Sequence, residues 1–369
     1  MEVLITDGMM KKSLSVLRSV APVASRTGVV SSYRRSMAGM SRFADGQHRV
    51  RRTSPGAYVD GVNEVIDRFG YGYVLPVGGW TTNVFSEYRD SLAAPVDDVL
   101  PSRDSMRIAQ DKWRSYLLAR ALEVPAPETV KLDPAGSLSD AADLGFPIVV
   151  KAGTESVPRY VEYVSSETEL RAAVDDYAER YADSPLAQEY LPGEGCGFFA
   201  LYLGGEPAGT YSHRRIREFP PTGGKSACAE SITDETLTEY GTQILDALGW
   251  NGPVMVEFKR DASGTPNLIE INPKFWGSLD LAIASGLDFP AAMVRYLRDG
   301  TRPDFSFSSR RFHWPLSGDI QHAVARPDST PAVAGDLVSA RTGTNLSASD
   351  PLPHLVEGAK AVVSPFLGS

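Results

Sequence analysis

The sequence predicts an α/β protein in which a doubly wound N-terminal domain is followed by two α+β subdomains. In residues 1–100, the apolar runs at Val3–Ile5 and Tyr73–Val77 are typical of buried strands, and the pattern at Lys12–Val20 is typical of a helix. Strands that alternate with helices favour a parallel sheet. From Phe146 onward the chain changes to apolar runs punctuated by Gly and Pro, which is typical of antiparallel strands.

The pattern of apolar runs and breaks predicts the order and extent of the domains. After residue 100, Pro101 and Ser102 begin a single helical pattern that runs through Arg103–Ala121. One antiparallel sheet is predicted from four later runs, at Ile148–Val150, Tyr160–Val164, Leu186–Tyr190 and Phe198–Tyr202. The predicted regions are the N-terminal α/β domain at 1–100, two subdomains within 101–300 (a small one at about 115–190 and a large one at about 191–300), and a C-terminal extension at 301–369.

Composition excludes several classes of protein. The chain has 369 residues, of which 42% are hydrophobic and 22% are charged, and this is ordinary for a globular protein with two or three cores. A formal net charge of −9 argues against a general nucleic-acid or anionic-membrane binder. Two cysteines build neither a disulfide framework nor a four-thiolate zinc site.

The distribution of apolar segments predicts the cellular location of the protein. No basic segment precedes the first apolar run, and nowhere do 18 apolar residues follow one another. We therefore expect a cytoplasmic protein without a signal peptide or a membrane span.

A hairpin between Val254 and Pro273 holds the most informative residues. Glu257 lies on its first predicted strand, and Glu270 and Asn272 lie two residues apart on its second. Side chains two apart share one face of a sheet, and hairpin pairing can bring Glu257 onto that face. Two carboxylates and an amide oxygen are suited to Mg²⁺, with Mn²⁺ as the alternative metal. Outward-facing Glu and Asn on a solvated sheet are the other interpretation.

The same hairpin carries a family resemblance. Met255–Phe258, followed by Leu268–Lys274, resembles the metal-binding strands of the ATP-grasp superfamily. The nearest branches are those of carbamoyl-phosphate-synthase-like enzymes and carboxylate–amine ligases, and the resemblance covers roughly residues 100 to 300. It implies an ATP-grasp fold, in which the two α+β subdomains clamp ATP and the small one acts as a lid.

The resemblance also implies which residues bind the nucleotide. In the order of the family, Lys112 and Lys151 would reach the phosphates, the run from Glu189 to Leu191 would meet adenine, and Glu194 would hold the ribose. The expected cofactor-binding residues are therefore Lys112, Lys151, Ser156, Glu189, Tyr190, Leu191 and Glu194. Ser156 is included because the segment after Lys151 has one Gly, where relatives often carry a glycine-rich loop.

A basic stretch between the hinge and the metal strands is the candidate substrate site. Residues 212–226 hold three Arg and one Lys inside an acidic protein. Arg presents a planar fork that grips carboxylates and phosphates. We expect this stretch to form a loop that holds the anionic substrate and an acyl phosphate, with Arg214, Arg217 and Lys274 as catalytic candidates. A solvated basic hairpin is the alternative interpretation.

Together these residues predict an ADP-forming, ATP-dependent ligase that activates a carboxylate as an acyl phosphate and passes it to an amine. The expected partners are small-molecule carboxylates and amines, and a homodimer is the commonest assembly for such an enzyme. Two alternatives stay open. One is an enzyme that phosphorylates bicarbonate or carbamate, and the other is an ATP-binding regulator without turnover.

Overall fold

The computed structural model describes residues 1–132, 137–154, 160–221 and 223–363, and within them the chain forms three sheets. The first sheet is parallel and four-stranded, in the order β3-β2-β1-β4. Its elements are β1 (Glu2–Ile5), α1 (Lys11–Val20), β2 (Arg26–Ser31), β3 (Gly46–Arg49), α2 (Pro55–Phe69), β4 (Tyr73–Leu75) and α3 (Gly79–Glu87). The prediction of strands alternating with helices is confirmed. The edge strand β3 has no sequence signal because its residues, Gly-Gln-His-Arg, are polar.

The predicted single helix from Arg103 to Ala121 is two helices, α4 (Arg103–Gln110) and α5 (Lys112–Ala121). The break falls at Asp111, whose backbone is extended and whose carboxylate accepts hydrogen bonds from the first amides of α5. Such a side-chain cap satisfies amides that a helix start leaves unpaired. The break places Lys112 in the first turn of α5, where its amide donates to the carbonyl of Gly153 at 2.8 Å.

The second sheet is small and antiparallel, with the order β5-β8-β6-β7. Helix α7 packs on it through Leu170, Ala173 and Tyr177, which are buried in one core with Ile148 and Val150. Its elements are β5 (Thr129–Lys131), α6 (Ser137–Ala142), β6 (Ile148–Lys151), β7 (Val161–Val164), α7 (Glu167–Arg180) and β8 (Leu186–Glu189).

The third sheet has the order β13-β12-β9-β10-β11-β14-β15 among the described residues. Its neighbours are antiparallel except for β14 and β15. The elements of this region are β9 (Gly195–Leu203), β10 (Glu206–Phe219), β11 (Lys225–Ile232), α8 (Glu235–Ala247), β12 (Gly252–Arg260), β13 (Pro266–Asn272), α9 (Leu279–Ala284), α10 (Phe289–Asp299), β14 (Arg311–His313), α11 (Ile320–Ala325), α12 (Thr330–Val338), β15 (Thr342–Thr344) and α13 (Leu352–Val363).

Two predictions about this region are wrong. The run Phe198–Tyr202 belongs to β9 and pairs with β12, and is not part of the small sheet. Nine consecutive residues of β9 are largely buried, so the apolar run alone could not show which sheet receives it. The basic stretch 212–226 is mostly strand, at the ends of β10 and β11, and is not a loop.

One face of the large sheet is covered by α8. Phe198, Val256 and Phe258 point to this face and form a core with Leu237 and Ile244 of the helix. Because side chains alternate along each strand, the neighbouring positions on β9, β10, β12 and β13 are presented to the opposite face. That opposite face carries the candidate site. No helix of the described chain is long and apolar enough to cross a membrane.

The C-terminal region is joined to the large sheet by buried ion pairs. Arg217 of β10 donates to both oxygens of Asp319, at 2.6 and 2.8 Å, and to Asp336 of α12 at 2.6 Å. Arg311 also donates to Asp336, and His313 contacts Asp319. A buried guanidinium shared by two carboxylates holds α12 against this end of the sheet.

Replacing Arg217 with Met should remove this shared cation and leave two buried carboxylates with fewer partners. We expect the free energy of unfolding to fall by about 3 kcal/mol or more, measured by urea denaturation. Arg214→Met is the matched control, because the pair between Arg214 and Glu230 is exposed and worth about 1 kcal/mol at most. Equal losses in the two variants would contradict the role given to Arg217.

Candidate active site

The candidate site is built around two carboxylates on neighbouring strands. Glu257 of β12 is directly opposite Glu270 of β13, and Met255 is opposite Asn272, so Glu257, Glu270 and Asn272 share one face. The Asn272 amide donates to Glu270 Oε1 at 2.8 Å. The two Glu side chains are 19% and 25% exposed, and therefore remain open to a ligand.

These three side chains fit Mg²⁺ as a partial ligand set. Among the described residues there is no cluster of three His, Cys, Asp or Glu that could enclose a metal. Mg²⁺ usually takes one or two carboxylates and completes its shell with water and phosphate oxygens. Two carboxylates and an amide oxygen suit a metal that is shared with a phosphate substrate.

Arg215 of β10 reaches across β9 to this site, and sequence analysis missed it. Its Nη2 lies 2.5 Å from Glu257 Oε1, and its Nη1 lies 3.7 Å from Glu218 Oε2. The strand between them carries Gly195 and Gly197 on the same face. A Cβ at Gly195 would come within 3.2 Å of Arg215 Nη1, so glycine there leaves room for the arginine. The alternation Gly-Cys-Gly on β9 is the signal that could have identified Arg215.

The pKa values of the two carboxylates are shifted in opposite directions. Burial raises the pKa of Glu257, and the negative charge of Glu270 adds to this, while Arg215 opposes it. Burial also raises the pKa of Glu270, but Lys112, the Asn272 amide and nearby lysines outweigh it and hold that pKa at about 2. Glu270 is therefore the carboxylate that stays ionised across the physiological range.

Two predicted lysines converge on the carboxylates from different elements. Lys112 Nζ lies 3.5 Å from Glu270 Oε2. Lys151, at the end of β6, is 6% exposed, and its Nζ donates to Gln188 Oε1 at 2.7 Å. Burial and the positive charge of Lys112 lower the pKa of Lys151 to about 8. Gln188, which sequence analysis also missed, in turn donates to Thr129 and so fixes the position of Lys151.

Comparison with known proteins now identifies the family. A protein-family profile described as "ATP-grasp in the biosynthetic pathway with Ter operon" matches residues 185–312, which include β12 and β13. A D-alanine–D-alanine ligase from Alkalilimnicola ehrlichii is 30% identical over 214 residues, which make up 53% of this chain and 67% of that protein. The chain belongs to the ATP-grasp superfamily.

Solved structures agree with this assignment at the level of the fold. A biotin carboxylase from Campylobacter jejuni superposes with a TM-score of 0.69 at 16% identity, covering 84% of this chain and 74% of that chain. An L-amino acid ligase from Bacillus licheniformis has a TM-score of 0.65 at 13% identity, covering 84% and 78%. The ATP-grasp fold that the sequence predicts is therefore confirmed.

The segment expected to meet the nucleotide base in this ATP-grasp protein follows β8. The Glu189 amide donates to the Glu128 carbonyl at 2.9 Å. The ring of Tyr190 lies edge-on to the ring of Tyr163, and Lys259 Nζ lies 5.1 Å from the centre of the Tyr190 ring. Leu191 is buried. The segment thus presents backbone and an aromatic ring between the small and the large sheet.

The chain after Leu191 crosses closely over the end of β12. The Glu194 carbonyl accepts from the Arg260 amide at 3.0 Å, and the Glu194 side chain is exposed. A Cβ at Gly193 would lie 1.7 Å from the Arg260 carbonyl oxygen, so only glycine fits this crossing. Of the predicted nucleotide-binding residues, Ser156 lies outside the described residues.

The three predicted catalytic residues are not brought together. Lys274 follows β13 and its charge acts on Glu270. Arg214 is exposed and pairs with the partly exposed Glu230 at 3.2 Å, because alternation along β10 turns it away from the face of Arg215. Arg217 is buried against Asp319 and Asp336. A bulge in β10 between Arg215 and Arg217 causes this difference. Arg215 pairs with Ala229, but Arg217 pairs with the adjacent residue Cys228, so Arg217 points to the other face of the sheet. The sequence alone could not show this bulge.

The lowered pKa of Lys151 predicts how nucleotide binding depends on pH. Between pH 7 and pH 9 the charged fraction of a lysine with a pKa of about 8 falls about tenfold. We expect the affinity for a non-hydrolysable ATP analogue to fall up to tenfold over this range, as measured by isothermal titration calorimetry. Lys151→Met should bind more weakly at pH 7 and lose most of this dependence.

Lys131→Met is the matched control, because Lys131 is an exposed lysine on β5 of the same sheet. It should retain both the affinity and the pH dependence of the unmodified protein. An equally steep pH dependence in Lys151→Met would contradict the role of Lys151.

Proposed function

We propose that this ATP-grasp protein uses Mg²⁺ and ATP to convert a small-molecule carboxylate to an acyl phosphate, with release of ADP, and transfers the acyl group to an amine. The observation that carries the proposal is the pairing of Glu257 and Glu270 opposite each other, with Lys112, Lys151 and Arg215 around them. This arrangement combines oxygen ligands for a divalent cation with cationic side chains for a triphosphate.

The relatives support the class of reaction. The predicted ATP-dependent ligase that forms a carbon–nitrogen bond is confirmed by the ligase relatives and by membership of the ATP-grasp superfamily. The solved carboxylase resembles this chain at 16% identity, which concerns the fold alone. The carboxylate and the amine that this chain joins are proposed only by chemical class.

Each cationic group has a distinct part in the proposed reaction. Lys151, fixed by Gln188, would neutralise phosphate charge at the small sheet, and Lys112 would do so from the start of α5. Glu257, Glu270 and Asn272 would hold the metal, which when bound would supply positive charge that stabilises the phosphate groups. Charge neutralisation and positioning are the main requirements of phosphoryl transfer.

Lys274 is proposed to act on the acyl phosphate. It follows Asn272 by two residues, and its amide donates to the Asn272 carbonyl at 2.8 Å, which forms a tight turn at the end of β13. The next carbonyl, of Phe275, accepts from Lys12 Nζ at 2.5 Å. The N-terminal domain therefore holds the segment that carries Lys274, and substrate would bind between this segment and the large sheet.

The hinge residues are proposed to bind the nucleoside. Backbone groups from Glu189 to Leu191 would meet the adenine edge, and the ring of Tyr190 would lie beside it. The exposed carboxylate of Glu194 can accept hydrogen bonds from two ribose hydroxyls. A homodimer and a cytoplasmic location stay predictions from the sequence.

Removing one carboxylate should stop turnover while the protein stays folded. Glu270→Gln keeps the shape of the side chain but loses its charge, and we expect phosphate release from Mg²⁺ and ATP to fall at least a hundredfold (about 3 kcal/mol of transition-state stabilisation). Phosphate and pyrophosphate are measured in separate assays with pooled carboxylates and amines. Release of phosphate should require both pools.

Glu230→Gln is the matched control, because Glu230 lies on β11 in an exposed pair outside the site. Its turnover should equal that of the unmodified protein. Full activity in Glu270→Gln would refute the proposed metal site, and pyrophosphate as the product would refute the acyl phosphate.

A further inference from the structure

The positive charge of this acidic protein is concentrated in one segment. Between Lys11 and Arg52 the chain has ten Lys and Arg and a single acidic residue, Asp45, although the whole protein has a net charge of −9. Asp45 lies before β3 and accepts from the Thr27 amide at the start of β2. The one acidic residue is therefore at the amino edge of the N-terminal sheet.

Several of these arginines lie at the opposite, carboxyl edge of the same sheet. Ser31 ends β2 and pairs with Arg49, which ends β3. The residues that follow are therefore neighbours: Tyr33, Arg34 and Arg35 after β2, and Arg51 after β3, all of them exposed. Tyr33 is 60% exposed. Parallel strands end at a common edge, and open α/β sheets bind ligands there.

Three of these guanidinium groups have no partner among the residues that the structure describes. Within the described ranges, the side chains of Arg34, Arg35 and Arg51 form no hydrogen bond or ion pair. Like charges on adjacent loops repel one another, and among the described residues no carboxylate forms an ion pair with these three arginines. A patch of this kind attracts anions, and arginine suits phosphate and carboxylate because of its planar fork.

Arg52, the next arginine along the chain, is paired with a carboxylate and so differs from these three. Arg52 forms a salt bridge with Asp7, which follows β1, and donates to Thr81 of α3. Its guanidinium also lies 4.7 Å from the ring of Trp80, which is 37% exposed. Asp7 also accepts from the Gly78 amide, so the start of α3 is occupied by this carboxylate. The binding capacity of the edge therefore rests on Arg34, Arg35 and Arg51.

This edge belongs to the side of the domain that meets the active site. Helix α1 starts at the carboxyl end of β1, and Lys12 in its first turn donates to the carbonyl of Phe275, next to Lys274. A ligand held at this edge would thus extend toward the segment that we propose acts on the acyl phosphate.

We propose that Arg34, Arg35 and Arg51 bind an anionic group of the substrate, a phosphate or a carboxylate distant from the carboxylate that reacts. This proposal rests on the proposed ligase function. The exposed rings of Tyr33, which precedes Arg34, and of Trp80, which contacts Arg52, offer apolar surface at this edge to the rest of the ligand. The substrate class is then a polyanion with at least two acidic groups.

The experiment measures the binding of simple anions to the full chain. The protein is first saturated with a non-hydrolysable ATP analogue and Mg²⁺, so that the nucleotide site is filled. Inorganic phosphate and succinate are then titrated separately, and their dissociation constants are obtained by ligand-observed NMR at low and at high salt. The variant combines Arg34→Gln, Arg35→Gln and Arg51→Gln.

We expect at least fivefold weaker binding of one or both anions in the triple variant, and less salt dependence, because three charges are lost. Arg107→Gln is the matched control, since Arg107 is an exposed arginine on α4, outside this edge of the sheet. It should bind anions as the unmodified protein does. Loss confined to phosphate identifies a phosphorylated substrate, and loss confined to succinate identifies a polycarboxylate.

Unchanged anion affinity in the triple variant, or no saturable binding to the unmodified protein, would overturn the proposal. Binding of the nucleotide analogue is measured in the same samples and should be equal in all variants. Failure of the unmodified protein to bind that analogue would count against the ligase function itself. The two failures are thereby distinguished.

Discussion

Glu257 and Glu270 face each other across two neighbouring strands, and like charges at directly opposed positions of a sheet repel. The described structure meets this repulsion with cations from separate parts of the chain. Arg215 comes from β10 and contacts Glu257, while Lys112 comes from the start of α5 and contacts Glu270. Lys151 and Lys274 add their charges from β6 and from the end of β13. These groups come from the small sheet, from the large sheet and from α5, so the cluster forms only where these elements meet.

The same balance of charge explains how the carboxylates and lysines of the site could exchange each other for a metal ion and a triphosphate. In the absence of a metal, the carboxylates are compensated by the chain's own cations. A triphosphate would compete for Lys112 and Lys151, and the carboxylate oxygens would then be available to a divalent ion. The low pKa of Glu270 and the lowered pKa of Lys151 arise in one cluster. Burial raises the pKa of Glu270, but Lys112, Asn272 and the other lysines outweigh it, whereas burial and Lys112 lower the pKa of Lys151 against the effect of the carboxylates.

The pairing of the two strands that carry Glu257 and Glu270 could be predicted from the sequence because the information is local. Glu257, Glu270 and Asn272 lie within one hairpin, and period-two alternation decides their common face. Lys151 was predictable for a similar reason, since a charged residue that ends a buried apolar strand needs a partner. The polar edge strand β3 and the helix break at Asp111 have no such local pattern. Both depend on contacts with elements elsewhere in the fold.

Arg214, Arg215 and Arg217 show the limit of sequence reasoning most clearly. Composition identified a basic stretch, but its strand register decides what each arginine contacts. Arg215 faces the carboxylates because glycines on β9 leave space, and a bulge turns Arg217 into a buried network with the C-terminal region. A one-residue change of register exchanges the two faces of a strand. The number of charged residues in a stretch does not show which face of the sheet each of them occupies.

Helix α1, near the N-terminus of the chain, links the C-terminal region to the segment beside the candidate site. Arg18 of α1 pairs with Asp350 at 2.9 Å, and Lys12 of the same helix holds the Phe275 carbonyl. Helix α1 is thus fixed on one side to the C-terminal region and on the other to the segment beside the metal strands. The family profile covers residues 185–312, which include β12 and β13 but not α1 or the arginines of the N-terminal edge. The paired carboxylates and Arg215 therefore lie in the part that the family profile matches, whereas Lys112, Lys151 and the arginines proposed to bind the substrate lie outside it.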